Sequence, residues 1–258
     1  MRHELPLLPA ATLRKAFVVL LLLALVIAAL AQFSGLDLAL ADASFDKATR
    51  QFPWRDAWFA DAFMHNAVKL PLVVLGSALM LVALSEAAFH RPRLERADRW
   101  RLRASAAITL LVPLVIALLK RRSASHCPWS LERYGGDAPY LRLFDALPAG
   151  IERGGCLPAG HASSALWLAG LCIWWLPHRP RAAAAVFAGG LAAGLALGWV
   201  QQLRGAHFLS HTLWSMWLTA IVVWAVLSVM RLLQRRSSGV SGAAAGDAGL
   251  PPPNTTRA

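Results

Sequence analysis

Titratable and small residues are concentrated at three places where apolar stretches of the sequence end. The first is Lys120 with the nearby Cys127-Pro128-Trp129, the second is residues 156–161, and the third is residues 201–211. Ionisable groups in or beside membrane-spanning segments are costly, and by default they mark functional sites. We therefore treat these three clusters as candidate parts of one site.

The second cluster, Cys156-Leu157-Pro158-Ala159-Gly160-His161, is typical of the start of a helix that binds phosphate. Pro158 suits a first helical turn, and Gly160 lets the backbone approach a ligand closely. The free amides that begin the following helix attract an anion. His161 then stands where it can pass a proton to a departing oxygen.

The third cluster contains two histidines, His207 and His211, four residues apart at the predicted start of a helix. Both therefore lie on one helix face. One imidazole can orient the other through a ring N–H, as a histidine nucleophile requires. Arg204 precedes His207 by about one turn and is a candidate phosphate ligand.

Membrane-spanning helices must position these clusters, because 57% of the residues are hydrophobic and the mean hydropathy is +0.49. We predict an all-α, polytopic membrane protein with six transmembrane helices in a bundle and an active site at its outer face. The first apolar stretch is too long for a secretory signal and lacks a good cleavage site. The predicted spans are 16–33, 68–89, 104–119, 161–177, 182–200 and 208–230.

The charges of the short loops predict the orientation. Residues 91–103 hold six arginines and two acidic residues, a net charge of +4, and basic residues also flank both ends of the apolar region. The positive-inside rule places this loop and both termini in the cytoplasm. The expected location is a bacterial inner membrane, with residues 120–160 and the active site facing the periplasm.

Two outer loops have distinct compositions. Residues 34–67 are mildly acidic and carry Trp54, Trp58, Phe59 and Phe63 at near-helical spacing, which predicts an amphipathic helix in the membrane interface. Residues 120–160 are basic despite lying outside, and a bound phosphate would explain that excess. Arg121 is a second candidate phosphate ligand in this loop.

The formal net charge of +12 does not indicate nucleic acid as a partner, because the basic residues lie mainly at the ends of apolar runs, beside anionic head groups. Two of the three cysteines, Cys127 and Cys156, flank the polar outer loop, whereas Cys172 lies in an apolar run. We predict a disulfide between Cys127 and Cys156 if that loop faces an oxidising compartment.

These motifs resemble those of the type 2 phosphatidic acid phosphatase superfamily, whose pattern is Lys-x6-Arg-Pro, Pro-Ser-Gly-His and Arg-x5-His-x3-Asp. The resemblance covers residues 120–230 and implies a metal-independent lipid phosphatase without a cofactor. It implies that Lys120 binds phosphate, His161 is the acid and His207 attacks phosphorus. The corresponding residues here are Lys120-x6-Cys127-Pro128, Pro158-Ala159-Gly160-His161 and Gln201-x5-His207-x3-His211.

Four positions depart from that pattern: Cys127, Ala159, Gln201 and His211. Each missing guanidinium would weaken stabilisation of transition-state charge by roughly 3 kcal/mol, by analogy with the loss of one preorganised donor. Nearby cations, among them Arg204, Arg121, Arg122 and Arg153, are candidates to replace them. In the family the acidic residue of the third motif orients the nucleophile, and here that role would fall to His211.

Three alternatives remain at the level of the sequence. Lys120 could be a span-end lysine that only reaches toward head groups. His207 and His211 could bind zinc, with His161 or His126 as a third ligand. The protein could also be a non-catalytic lipid-phosphate binder or transporter of the same fold.

The sequence does not select among lipid substrates, which include undecaprenyl pyrophosphate, phosphatidylglycerol phosphate, phosphatidate and the phosphates of lipid A. We predict a lipid phosphatase domain at residues 1–236. Residues 237–258 are rich in Gly, Ser, Ala and Pro and predict a disordered cytoplasmic tail.

Overall fold

The computed structural model describes residues 8–89 and 94–247, with side chains of the last helix described as far as Leu233. Within these residues the chain is helical and forms no β-strand, which confirms the predicted all-α class. In chain order the α-helices are α1 (Ala10–Phe33), α2 (Leu36–Ser44), α3 (Lys69–Phe89), α4 (Arg96–Lys120), α5 (Ser163–Leu166), α6 (Pro180–Leu203) and α7 (Leu209–Asp247).

Five helical stretches of the described chain are long and apolar enough to cross a membrane, so the chain is a multi-pass membrane protein. They are Ala10–Phe33, Phe59–Phe89, Arg96–Lys120, Pro180–Leu203 and Leu209–Leu233. By length and composition they correspond to five of the six predicted spans. The second begins with a π-helical segment, Phe59–Ala67, which contains two of the aromatic residues used to predict an interfacial helix. The interfacial location stays a prediction.

The stretch predicted to span at 161–177 is a shorter helix, Ser163–Trp175. It begins as α5 and continues as the 3₁₀-helix Trp167–Trp175. At its start the hydroxyls of Ser163 and Ser164 donate to the carbonyl oxygens of Gly160 and His161, at 2.6 and 2.7 Å. The sixth crossing is not established by helix length, and it stays a prediction.

A glycine face allows α6 to pack closely on its neighbours. Gly190, Gly194 and Gly198 recur every four residues, and a Cβ at each would lie 2.2–2.3 Å from an atom of Ala169, Leu166 and Thr212, respectively. Small residues at this spacing let membrane helices approach each other closely. The glycine face therefore lets α6 pack closely on both the short helix Ser163–Trp175 and α7.

The end of the bundle opposite the site is held by a buried carboxylate. Glu86 of α3 is 1% exposed, and its carboxylate accepts from Arg103 of α4 at 3.0 Å and lies 3.9 Å from Arg99. Residues 90–93, which begin the predicted cytoplasmic loop, lie outside the described residues.

The last helix runs to Asp247, past residue 237 where the sequence predicted a disordered tail. Residues 248–258 lie outside the described part of the chain. The boundary between the phosphatase domain and its tail therefore stays a prediction.

Candidate active site

The first two clusters meet where α4 ends. Lys120 is the last residue of α4, and its side chain lies against Gly160, since a Cβ at Gly160 would be 3.7 Å from Lys120 Nζ. A larger side chain at position 160 would crowd the ammonium group. The structure thus brings a cation next to the backbone at Gly160. The helix itself begins later than predicted, at Ser163, so Pro158 precedes it and is not in its first turn.

A disulfide between Cys127 and Cys156 closes the polar loop. Backbone pairing continues the closure, because the amide of Cys156 donates to the carbonyl of Ser125 at 3.0 Å. The amide of Trp129, two residues after Cys127, donates to Gly205 O at 2.9 Å and ties the loop to the third cluster. The loop is therefore closed by its own disulfide, and a backbone hydrogen bond also attaches it to Gly205, near His207.

The second and third clusters are joined through their backbones. The amide of Ala159 donates to His211 O at 3.1 Å, and the hydroxyl of Ser215 donates to Ala159 O at 3.0 Å. The ring centroids of His161 and His207 are 6.3 Å apart as a result. All three predicted clusters lie together at one end of the bundle.

His207 is buried, at 2% exposure, and one of its ring nitrogens is occupied. Its Nδ1 lies 3.4 Å from Cys156 Sγ. A disulfide sulfur carries no hydrogen, so His207 must donate from Nδ1, and this leaves a lone pair on Nε2. Burial lowers the pKa of His207 well below its ordinary value, as do His211 and Lys120.

His211 does not make the contact that the sequence suggested. Its ring lies edge to face with His207 at 5.8 Å between centroids, and no hydrogen bond joins the two rings among the described residues. Instead, His211 Nε2 pairs with the hydroxyl of Ser125 at 3.1 Å. The prediction that both histidines lie on one helix is wrong for His207, which precedes the first residue of α7. Each ring has its partner in the disulfide loop.

Arg204 is also employed differently from the expectation. Its guanidinium donates to Asp61 at 2.7 Å, to the carbonyl of Arg55 at 2.9 Å, to His65 Nδ1 at 2.8 Å and to Gln201 at 3.4 Å. Four of its five N–H groups thus have protein acceptors. Arg204 is committed to residues of the segment 34–67, and it is not free to form a two-pronged contact with phosphate.

The other candidate cations do not reach the histidines. Arg121 and Arg122 are exposed, and Arg153 donates to the backbone of Arg122 at 2.6 Å. Arg122 borders a cavity of about 270 Å³ that also touches His211 and Ser125, but Lys120, His161 and His207 are not among its walls. Lys120 is therefore the cation that the described structure places directly beside the backbone at Gly160.

Three residues that contact the candidate site were missed because they come from the acidic segment 34–67, which was predicted to be the first outer loop. His65 Nε2 lies 3.1 Å from His161 Nε2, and Asp61 holds Arg204. Asp37 of α2 accepts from the amide and the hydroxyl of Ser210 at 3.0 and 2.5 Å, so it caps the start of α7. The four-residue spacing of Asp61 and His65 was a readable signal of a shared helix face.

Burial governs the electrostatics of the groups in the connecting segments. It lowers the pKa of His161 to about 3, and His65, Lys69, Lys120 and Arg204 lower it in the same direction. Burial raises the pKa of Asp37, while the hydrogen bonds from Ser210 oppose that rise. An added anion would therefore stabilise the charged form of His161 in an environment that is otherwise cationic.

One group of potential metal-ligand atoms in the described residues lies within 4.8 Å, namely those of Cys127, Cys156 and His207. The two sulfur atoms are bonded to each other and offer no thiolate in this state. This group is not the set of His207, His211 and a third histidine that the zinc alternative requires.

The family assignment follows from this arrangement together with a comparison. The family model of the PAP2 superfamily matches residues 101–235, just over half of the chain and all three clusters. The chain belongs to the PAP2 superfamily, as the motif resemblance predicted. No curated protein and no solved structure matches the chain. Membership supports a phosphatase-type activity on lipid phosphates within a bilayer.

Proposed function

We propose that this protein is a membrane-embedded hydrolase that removes phosphate from a lipid phosphate or pyrophosphate through a phosphohistidine at His207. The observation that carries the proposal is the ring of His207, whose Nδ1 is engaged by Cys156 and whose Nε2 keeps its lone pair. A histidine nucleophile needs this tautomer, because the attacking nitrogen must not carry the proton.

His161 is the proposed acid for the leaving lipid oxygen. In-line displacement needs the nucleophile and the acid on opposite sides of phosphorus. The two rings are neighbours, with centroids 6.3 Å apart, so one bound phosphate group can contact both. Lys120 and the amides that follow Gly160 would bind the phosphate oxygens between these rings.

The proposed membrane arrangement has six crossings, with the short helix Ser163–Trp175 as the fourth. Its α-turn and nine 3₁₀ residues extend about 24 Å by their ordinary rises. This approaches the ~30 Å hydrocarbon core. Under this arrangement the site faces the periplasm and both termini are cytoplasmic in a bacterial inner membrane.

Turnover of purified protein tests the function. We expect phosphate release from at least one of undecaprenyl pyrophosphate, phosphatidylglycerol phosphate, phosphatidate and lipid A. His207→Ala should lower turnover by at least about 10²-fold, because it removes the catalytic nucleophile, and should abolish trapping of labelled phosphate on the protein. His178→Ala, in an exposed turn at the other end of the bundle, is the matched control. The mechanism is wrong if His207→Ala keeps more than about a tenth of the activity.

The proposed reaction uses no metal, so a chelator should leave turnover unchanged. Loss of activity on chelation that zinc restores would favour the metal alternative.

A second candidate function is a non-catalytic lipid-phosphate binder. The commitment of Arg204 to Asp61 favours it, because the site then lacks a free guanidinium to stabilise the transition state. Saturable binding of lipid phosphate, with no phosphate release from any lipid of the panel, would support the binder over the enzyme.

A further inference from the structure

A histidine outside the three clusters touches the proposed acid. His65 lies in the π-helical segment Phe59–Ala67, and its ring is 4.1 Å from that of His161 between centroids. The two Nε2 atoms are 3.1 Å apart, which is a hydrogen-bond distance. On the other side of the His65 ring, Arg204 contacts Nδ1 at 2.8 Å.

The direction of these hydrogen bonds follows from the donor. A guanidinium can only donate, so Nδ1 of His65 must carry a lone pair. Neutral His65 then has its proton on Nε2 and donates it to Nε2 of His161. His161 must therefore carry its own proton on Nδ1, the tautomer set by a partner on the opposite nitrogen.

Nδ1 of His161 is the ring nitrogen left for a ligand. It is buried, and among the described residues it has no hydrogen-bond partner. The same ring lies beside that of His207, the proposed nucleophile, with 6.3 Å between the ring centroids. A donor held in this way is ready for an oxygen bound between the two rings.

We propose that His65 is a positioning residue: held by Arg204, it fixes His161 in the Nδ1–H tautomer and reserves that nitrogen for the leaving oxygen. The identity of that oxygen rests on the proposed function, whereas the tautomer does not. The three sequence clusters do not include His65, because they begin at Lys120, about 55 residues later in the chain.

The pair also opposes the charging of His161. As an imidazolium, His161 would donate from Nε2, and His65 would have to shift its proton to Nδ1 and release Arg204. The charged and titratable groups around His161 come from four elements, and the one acid among them, Asp61, is paired with Arg204. These groups are Asp61, His65, Lys69, Lys120, Arg204 and His207.

A phosphate dianion between the rings supplies the missing negative charge. His161 then takes up a proton from solvent on Nε2. As the bond from Nε2 of His207 to phosphorus forms, the bond from phosphorus to the lipid oxygen breaks, and Nδ1 of His161 gives its proton to that oxygen. Nδ1 takes a proton back from the water that hydrolyses the phosphohistidine. His161 thus acts first as acid and then as base through one nitrogen.

Nitrogen-15 NMR of histidine-labelled protein in detergent tests the tautomers directly, with His65→Gln and His161→Gln used for assignment. At neutral pH and without ligand we expect the Nδ1–H tautomer at His161 and the Nε2–H tautomer at His65. An Nε2–H tautomer at His161 in the wild-type protein overturns the inference. The measurement needs no turnover, so it is independent of whether a substrate is found.

The pH dependence of inorganic phosphate binding gives the second test. In His65→Gln the amide can accept from His161 Nε2–H, so the pH at which binding recruits a proton should rise. Turnover should fall on the order of 10-fold, a fraction of the 10²–10⁴-fold contribution of a general acid. His178→Gln should change neither. An unchanged pH dependence in His65→Gln assigns His65 a merely structural role and overturns the inference.

Discussion

The two N-terminal spans are much less buried within the protein than the three later spans. In the apolar windows of Ala10–Phe33 and Phe59–Phe89, 11% of residues are buried, against 39%, 33% and 28% in α4, α6 and α7. The first two helices therefore present most of their side chains to lipid. The family match, which begins at residue 101, covers the later, more buried helices.

Although its helices are the more exposed ones, the N-terminal region contacts the candidate site. The segments that flank its helices supply Asp37, Asp61 and His65, each within hydrogen-bond distance of a residue in or beside the third cluster or of His161. On the same π-helical segment, Phe59 and Phe63 are 45% and 39% exposed. One short segment thus carries exposed aromatic side chains and also contacts residues of the candidate site.

Loss of the disulfide should have the largest effect on the more buried region. Cys127→Ala with Cys156→Ala frees a loop of sequence separation 29, and the loop-entropy estimate gives a destabilisation of roughly 3–4 kcal/mol. Thermal unfolding of the detergent-solubilised protein measures it. Cys172→Ala, which removes a cysteine outside the bridge, should cost less. Equal losses in the two variants would show that the bridge does not stabilise this region.

The glycine face of α6 allows a matched test of close packing. Gly190→Ala places a methyl group 2.2 Å from the backbone nitrogen of Ala169, whereas a Cβ at the adjacent Gly189 meets nothing within 4 Å. We expect overpacking by Gly190→Ala to lower the free energy of unfolding by about 1–3 kcal/mol. Gly189→Ala should not lower it. Similar melting temperatures for the two variants would contradict the close contact of α6 with the short helix.

The smallest expected effect probes the contribution of the N-terminal loops. Asp37→Asn weakens the cap of α7 and should lower stability by about 1 kcal/mol, with a modest loss of turnover because His211 lies in the first turn of that helix. Asp56→Asn removes an exposed carboxylate in the same outer region. Unchanged stability in both variants would mean that Asp37, and with it the N-terminal region, does not stabilise the start of α7.

The sequence by itself determined the class of the protein and most of its site. Apolar runs near the length of the hydrocarbon core fix where helices cross, because backbone groups in lipid must bond within the helix. The order and spacing of Lys120, Gly160, His161 and His207 at span ends then placed them at one end of a bundle. Alternating crossings bring those ends together whatever the details of packing.

Only the tertiary structure decided which side chains pair. Arg204 was a reasonable phosphate ligand by its distance along the helix, but Asp61 and His65 reach it from a loop about 140 residues earlier. His211 was expected to share a helix face with His207, but His207 precedes α7 and His211 bonds to Ser125. Local spacing fixes the direction in which a side chain leaves its helix. Its partner depends on which loop packs against that face, and the helical period carries no information about that.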